Sequence, residues 1–176
     1  MSETAGNYSP PGSLRGGYIG ADMTKGRQQG IGHTSKQRKP NFCFGCGRDN
    51  GNGMRLRFAL DETGRQFLCH FRLSKRYTGP PGHCHGGIIA TILDEAMSKL
   101  NRLLDTPAPT SRITVEYLRP VPLHRRLQVW SRNVSKRGRR LTHSAEIRDE
   151  KGTVLARSRG VFVIISPKHV FHTVKL

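Results

Sequence analysis

The chain has 176 residues, of which 35% are hydrophobic, and a formal net charge of +18. That is enough for one domain with a substantial core and requires no second domain. No apolar run approaches the ~20 residues that cross a bilayer, and Met1-Ser2-Glu3-Thr4-Ala5 lacks the apolar block of a secretory leader, so the expectation is a cytoplasmic protein without a membrane span. Four cysteines, Cys43, Cys46, Cys69 and Cys84, are too few and too irregular for a secreted disulfide scaffold. Phosphate-loop, dinucleotide and serine-elbow motifs are absent, which removes support for nucleotide hydrolysis, hydride transfer and serine-hydrolase chemistry.

Residues 1–40 are rich in Gly, Ser, Gln and Pro without hydrophobic periodicity and predict a flexible arm. The arm does not explain the charge: its six Lys/Arg face Glu3 and Asp22, a surplus of +4, which leaves +14 for the remainder. Cys43-Phe44-Gly45-Cys46 has the spacing of half a zinc site, but the second ligand pair of a closed site is missing, so the expectation is reduced thiols in a tight turn and no metal. Met54 to Leu60 alternates with Leu56, Phe58 and Leu60 on one face, the period of a half-buried strand. Asp61-Glu62-Thr63-Gly64 reads as a turn, and Phe67, Cys69, Phe71 and Leu73 alternate again to complete a hairpin.

A Gly/Pro loop, Tyr77 to Gly82, delivers the chain to His85-Gly86-Gly87. Ile88, Ile89, Ile92, Leu93, Ala96, Met97, Leu100, Leu103 and Leu104 then follow the three-and-four spacing of an amphipathic helix, stopped by Pro107 and Pro109. Two glycines at a helix N-terminus let backbone N–H groups approach a ligand where the helix carries partial positive charge, which suits an anion or a developing oxyanion. His85 reads first as a residue that orients this turn by hydrogen bonding, with substrate binding or proton donation as the other readings. Asp94 projects beyond the edge of the apolar stripe, beside Ser98 and Asn101; half-desolvated there, it suits general-base or nucleophilic work. The plainer reading is that Asp94 and Glu95 form a solvated helix face.

Four strands are expected after the helix, at Arg112 to Arg119, Arg126 to Asn133, Arg139 to Arg148 and Thr153 to Ile165, joined by the turns at Pro120–Pro122, Lys136–Gly138 and Asp149–Gly152. An antiparallel sheet wrapped on one long helix results, an α+β layout. No acid interrupts the basic block from Arg119 to Arg140, which includes Arg137 and Arg139. Such a surface attracts phosphates or serves only solubility; aromatic strings and helix-turn-helix spacing for a specific nucleic-acid reader are absent. Residues 167–176 carry no motif.

His85-Gly86-Gly87, Asp94 nine positions after the histidine, Thr110 sixteen positions after the aspartate, and Glu116-Tyr117-Leu118-Arg119-Pro120-Val121-Pro122 together form a pattern. It resembles the hot-dog-fold acyl-CoA thioesterases, the PaaI-like branch of the 4-hydroxybenzoyl-CoA thioesterase superfamily. The segment from Cys43-Phe-Gly-Cys46-Gly47 through Asn50 to Phe58 is similar to the leader many of these proteins carry, so the likeness runs over about residues 41–165 of a domain bounded at 41–166.

The resemblance implies a hot-dog fold and hydrolysis of an acyl-CoA thioester to free acid and CoA, with no cofactor. It implies that the amide around Gly87 polarises the thioester carbonyl while Asp94 activates water or attacks, Thr110 helping to place the water. Gly86, Asn101, Arg137 and Arg139 are the expected substrate contacts. Relatives build such a site between two subunits, which implies a homodimer or a dimer of dimers. One departure stands out: several relatives carry a polar residue, often Asn, six positions before the histidine, where this chain has Gly79. That departure keeps a non-catalytic acyl-CoA-binding module as the alternative.

Overall fold

A computed structural model describes residues 39–104 and 107–165, so the expected arm, beyond its last two residues, and the expected tail lie outside the described residues. Among these residues six strands, β1 (Ala59–Leu60), β2 (Gln66–Phe71), β3 (Thr110–Tyr117), β4 (Leu127–Arg137), β5 (Arg140–Asp149) and β6 (Val154–Val163), pack around one α-helix, α1 (Gly86–Lys99). The strands form one sheet in the order β1-β2-β4-β5-β6-β3, and every pairing is antiparallel.

Alternation along the strands places one face of the sheet on the helix. On β5, Leu141, His143, Ala145 and Ile147 are buried, and their alternate neighbours are not. They meet Ile89, Ile92, Leu93, Ala96 and Met97 of α1, all at 4% exposure or less, together with Cys69, Val129, Ala156 and Phe162. The apolar spacing of the sequence is thus the buried stripe of the helix. Ser131 Oγ donates to the Ala96 carbonyl at 2.7 Å, so the one buried polar residue of β4 is satisfied by the helix backbone.

Three boundaries differ from the sequence expectation by more than two residues: the strand expected to end at Asn133 runs on to Arg137 as β4, taking in two residues expected in the turn, and two other elements are shortened. The predicted strand Met54 to Leu60 is reduced to Ala59–Leu60, because Arg55 has φ 52° and the segment bonds elsewhere. Met54 N–H donates to the Phe44 carbonyl at 2.7 Å and Leu56 N–H to the Gly45 carbonyl at 2.9 Å, so this stretch pairs with the cysteine turn rather than with β2. The predicted helix to Leu104 is α-helical only to Lys99; Leu100–Leu104 tightens into a 3-10 turn. There Asn101 Nδ2 donates to the Ala108 carbonyl at 2.8 Å and ties the helix end to the chain leading into β3. No helix among the described residues is long and apolar enough to cross a membrane.

Candidate active site

The double-glycine turn is clamped from several sides. His85 has extended backbone angles and caps α1, its Nδ1 accepting the Gly87 N–H at 3.0 Å. His85 N–H donates to the Tyr77 carbonyl at 2.9 Å, and Tyr117 Oη on β3 donates to the Gly86 carbonyl at 3.1 Å. His85 therefore orients the turn, and the Gly87 amide, expected to face a carbonyl, is already bonded within the chain. The Gly86 N–H has no acceptor among the described residues. It is the amide at the helix start that remains available to a ligand.

Gly79, where several relatives place a polar residue, cannot carry a side chain in this backbone: an added Cβ would lie 2.6 Å from His85 Cα and 3.0 Å from its N. The loop packs too closely on the turn for any larger residue. The departure is therefore built into the way Gly79 and His85 are held together, with the Gly79 N–H donating to the His83 carbonyl at 2.9 Å.

Asp94 lies between helix and sheet edge rather than on a solvated face. Thr110 Oγ1, at the first residue of β3, donates to Asp94 Oδ1 at 2.7 Å. Burial pushes the Asp94 carboxyl above its ordinary value, the neighbouring Glu95 charge adds to that, and the Thr110 hydrogen bond opposes it. A carboxylate so poised is more basic than a free aspartate. Glu95 is likewise not solvated: it pairs with Lys99 and accepts from Cys43 Sγ at 3.4 Å. Burial resists its ionisation, but hydrogen bonds from Cys46, Lys99 and Cys43 hold it below the usual range.

Asp94 and Gly86 are eight positions apart on one helix, about 12 Å along its axis at 1.5 Å per residue. They do not converge on one atom within a single chain.

Asn101 sits in the core instead of lining a ligand surface. It is 7% exposed, with Nδ2 on the Ala108 carbonyl and Oδ1 3.0 Å from His143 Nε2. Sequence reading missed His143, which looks like an exposed strand residue until its register beside buried Leu141 and Ala145 is known. Burial lowers its pKa to about 4, so it is neutral and donates from Nε2 to Asn101.

Arg137 lines a pocket of about 340 Å³ with Arg112, Ser135, Arg140, Thr142 and Val161. Arg139 lies in the β4–β5 turn and is not among its lining residues. Ser135 pairs with Thr142 and Arg137 with Arg140 across the strands, and Thr142 alternates with buried Leu141 and His143, which puts this pocket on the sheet face away from α1. Arginines directly opposed across strands repel, a tension that a bound anion relieves. The structure thus brings His85, Gly86, Gly87 and Tyr117 together at one end of α1 and Asp94 with Thr110 further along, while Arg137 stands across the sheet.

One long helix wrapped by an antiparallel sheet, entered through a clamped double-glycine turn, is a hot-dog fold. The profile of the thioesterase superfamily matches residues 81–156, and the chain is similar in sequence and in fold to members of that superfamily. It is 26% identical over 140 residues to the acyl-coenzyme A thioesterase THEM4 of Xenopus laevis, covering 79% of this chain and 63% of that protein. It spans only 52% of the Bos taurus counterpart, at 28% identity. Among solved structures, a thioesterase superfamily protein is 28% identical with a TM-score of 0.66, covering 70% of this chain and 60% of the other. A Bacillus halodurans protein crystallised with CoA is 26% identical with a TM-score of 0.58, covering 64% and 76%. The PaaI protein of E. coli shares the fold at 18% identity and a TM-score of 0.59, covering 64% and 81%.

Proposed function

We propose that this protein hydrolyses an acyl-CoA thioester to free acid and CoA in a site built from two copies of the chain. The observation that carries the reading is the half-buried Asp94 with its carboxyl pKa raised and one oxygen held by Thr110 at 2.7 Å, on a helix whose first amide has no partner among the described residues. The names of the curated relatives and the CoA-bound neighbour support the substrate class.

In this mechanism the Gly86 N–H of one copy, reinforced by the helix N-terminus, polarises the thioester carbonyl and stabilises the oxyanion as the tetrahedral intermediate forms. Asp94 of the other copy takes the proton of an attacking water, or itself attacks to form a mixed anhydride that water then opens. Collapse of the intermediate expels CoA thiolate. The separation of about 12 Å along one helix is the physical reason for assigning the two groups to different copies. His85 fixes the turn and Tyr117 holds the Gly86 carbonyl; both position the donor amide rather than touch substrate. Gly79 has no side chain to orient water, and that task falls to Thr110 Oγ1. The arginines at 112, 137 and 140 supply positive charge for the CoA phosphates.

The test is thiol release from a panel of acyl-CoA substrates, run beside direct binding measurements. Release abolished by Asp94→Asn in a folded protein supports the mechanism. Binding without release by the wild-type chain would establish the accessory reading instead.

A further inference from the structure

The cysteine turn meets α1 in a cluster that the proposed hydrolysis does not use. Lys99 Nζ lies 2.7 Å from Cys46 Sγ and is ion-paired with Glu95, while Cys43 Sγ contacts the same carboxylate at 3.4 Å. The turn is shaped to this arrangement. At Gly45 an added Cβ would stand 2.6 Å from Glu95 Oε2, and at Gly47 it would stand 2.4 Å from the Cys43 carbonyl oxygen. Lys99 is 6% exposed, with its ammonium 5.5 Å from the centroid of the Phe58 ring, so it cannot readily swing to solvent. Cys46 is half-buried and Cys43 is exposed at the rim. Small oxidants therefore have a short path to a fixed sulfur–nitrogen pair.

The nitrogen–sulfur distance is the informative quantity. N–H···O bonds centre on about 2.9 Å, and N–H···S contacts are longer because sulfur is the larger atom. At 2.7 Å the pair is too close for an ordinary hydrogen bond and too far for a direct bond, a separation that one bent oxygen atom, singly bonded to each, spans. The carboxylate of Glu95 beside both groups can take the protons such a link must shed.

We propose that Lys99 and Cys46 form a reversible covalent Nζ–O–Sγ bridge under oxidising conditions. The oxidant is dioxygen: its O–O bond breaks, one oxygen atom forms new bonds to Sγ and Nζ, and the other leaves as water with the thiol hydrogen and one amine hydrogen. Sulfur and nitrogen each give up two electrons, the four that dioxygen takes; the additional proton of the Lys99 ammonium passes to Glu95 and on to solvent. A thiol reductant reverses the step and restores Cys46 and Lys99. The bridge removes a buried positive charge and pins the cysteine turn to the last turn of α1, five residues from Asp94.

The full chain is purified without reductant, held in air-equilibrated buffer, and its intact mass measured under denaturing conditions before and after dithiothreitol. The expected result is a gain of one oxygen and loss of two hydrogens in most molecules, reversed by dithiothreitol, with a cross-linked peptide pair containing Cys46 and Lys99. The gain is absent in Lys99→Arg and Cys46→Ser and retained in Cys43→Ser. An unchanged wild-type mass overturns the proposal whether or not the variants fold. So does loss of two hydrogens alone that disappears in Cys43→Ser, which marks a Cys43–Cys46 disulfide, and so does stoichiometric zinc held by the thiols of the native protein.

Discussion

Replacing His143 by Gln isolates one buried proton-binding group. In the native chain this imidazole is 1% exposed, its Nε2 donates to Asn101 at 3.0 Å, its Nδ1 has no partner among the described residues, and its ring lies 5.0 Å from that of Phe162. Burial lowers its pKa from 6.5 to about 4. Between those values the unfolded chain binds a proton that the folded chain refuses, so stability present above pH 6.5 is lost as pH falls towards 4. A shift of that size corresponds to about 3 kcal/mol between pH 7 and pH 4, a large share of the 5–15 kcal/mol typical of a domain. Glutamine can still donate to Asn101 but does not titrate. Urea unfolding at the two pH values then compares wild type with His143→Gln. The carboxylates contribute equally to both proteins, so the acid-induced loss is expected to be about 3 kcal/mol smaller in the variant, even if it is weaker at pH 7 from lost packing. Equal losses in the two proteins would refute the assignment of a neutral, buried His143.

Three further outcomes are expected. Asp94→Asn lowers kcat by on the order of 10²-fold or more while the circular dichroism spectrum is unchanged, since the buried site accepts an isosteric amide. Thr110→Val removes the bond that opposes the upward shift of Asp94, so the acid limb of the pH–kcat/KM profile moves to higher pH; an unmoved limb would show that the hydrogen bond does not act on the titrating group. Arg137→Ala raises KM for an acyl-CoA roughly tenfold and leaves KM for the corresponding acyl-pantetheine unchanged, because only the former carries the nucleotide phosphates; equal effects on both substrates would separate the arginine pocket from CoA binding.

The core of this fold is legible wherever one side-chain period persists. Leu141, Ala145 and Ile147 alternate through β5, and Ile89, Ile92, Leu93, Ala96 and Met97 repeat along α1, so both elements and their facing surfaces follow from spacing. The same period misled at Leu56, Phe58 and Leu60, where the left-handed Arg55 and the pairing to Phe44 and Gly45 override alternation. Asp94 and Thr110 were readable as candidates from the motif, but that they touch is a property of where β3 begins. Polar roles were the least visible: Asn101 and His143 bond one another across 42 positions, and Glu95 serves Cys46, 49 positions upstream of it, only once the leader has folded back on α1. Which glycine N–H is taken up within the chain could not be read at all, since it depends on the ring of His85 claiming Gly87.

The most direct measurement of the two-copy site is a mixing experiment with two single variants. Gly86→Pro deletes the donor N–H at the first helical position, where proline is tolerated; His85 before it already has extended angles, and the added Cβ meets Tyr117 only at an ordinary 3.6 Å. Asp94→Asn deletes the base. Each variant alone is expected to be inactive, and chains unfolded together and refolded as an equal mixture are expected to regain about a quarter of wild-type activity, because half of randomly paired dimers hold one intact site of two. A mixture as inactive as its parents, or full activity in Gly86→Pro alone, would contradict an acyl carbon gripped by the amide of one chain and the carboxylate of another.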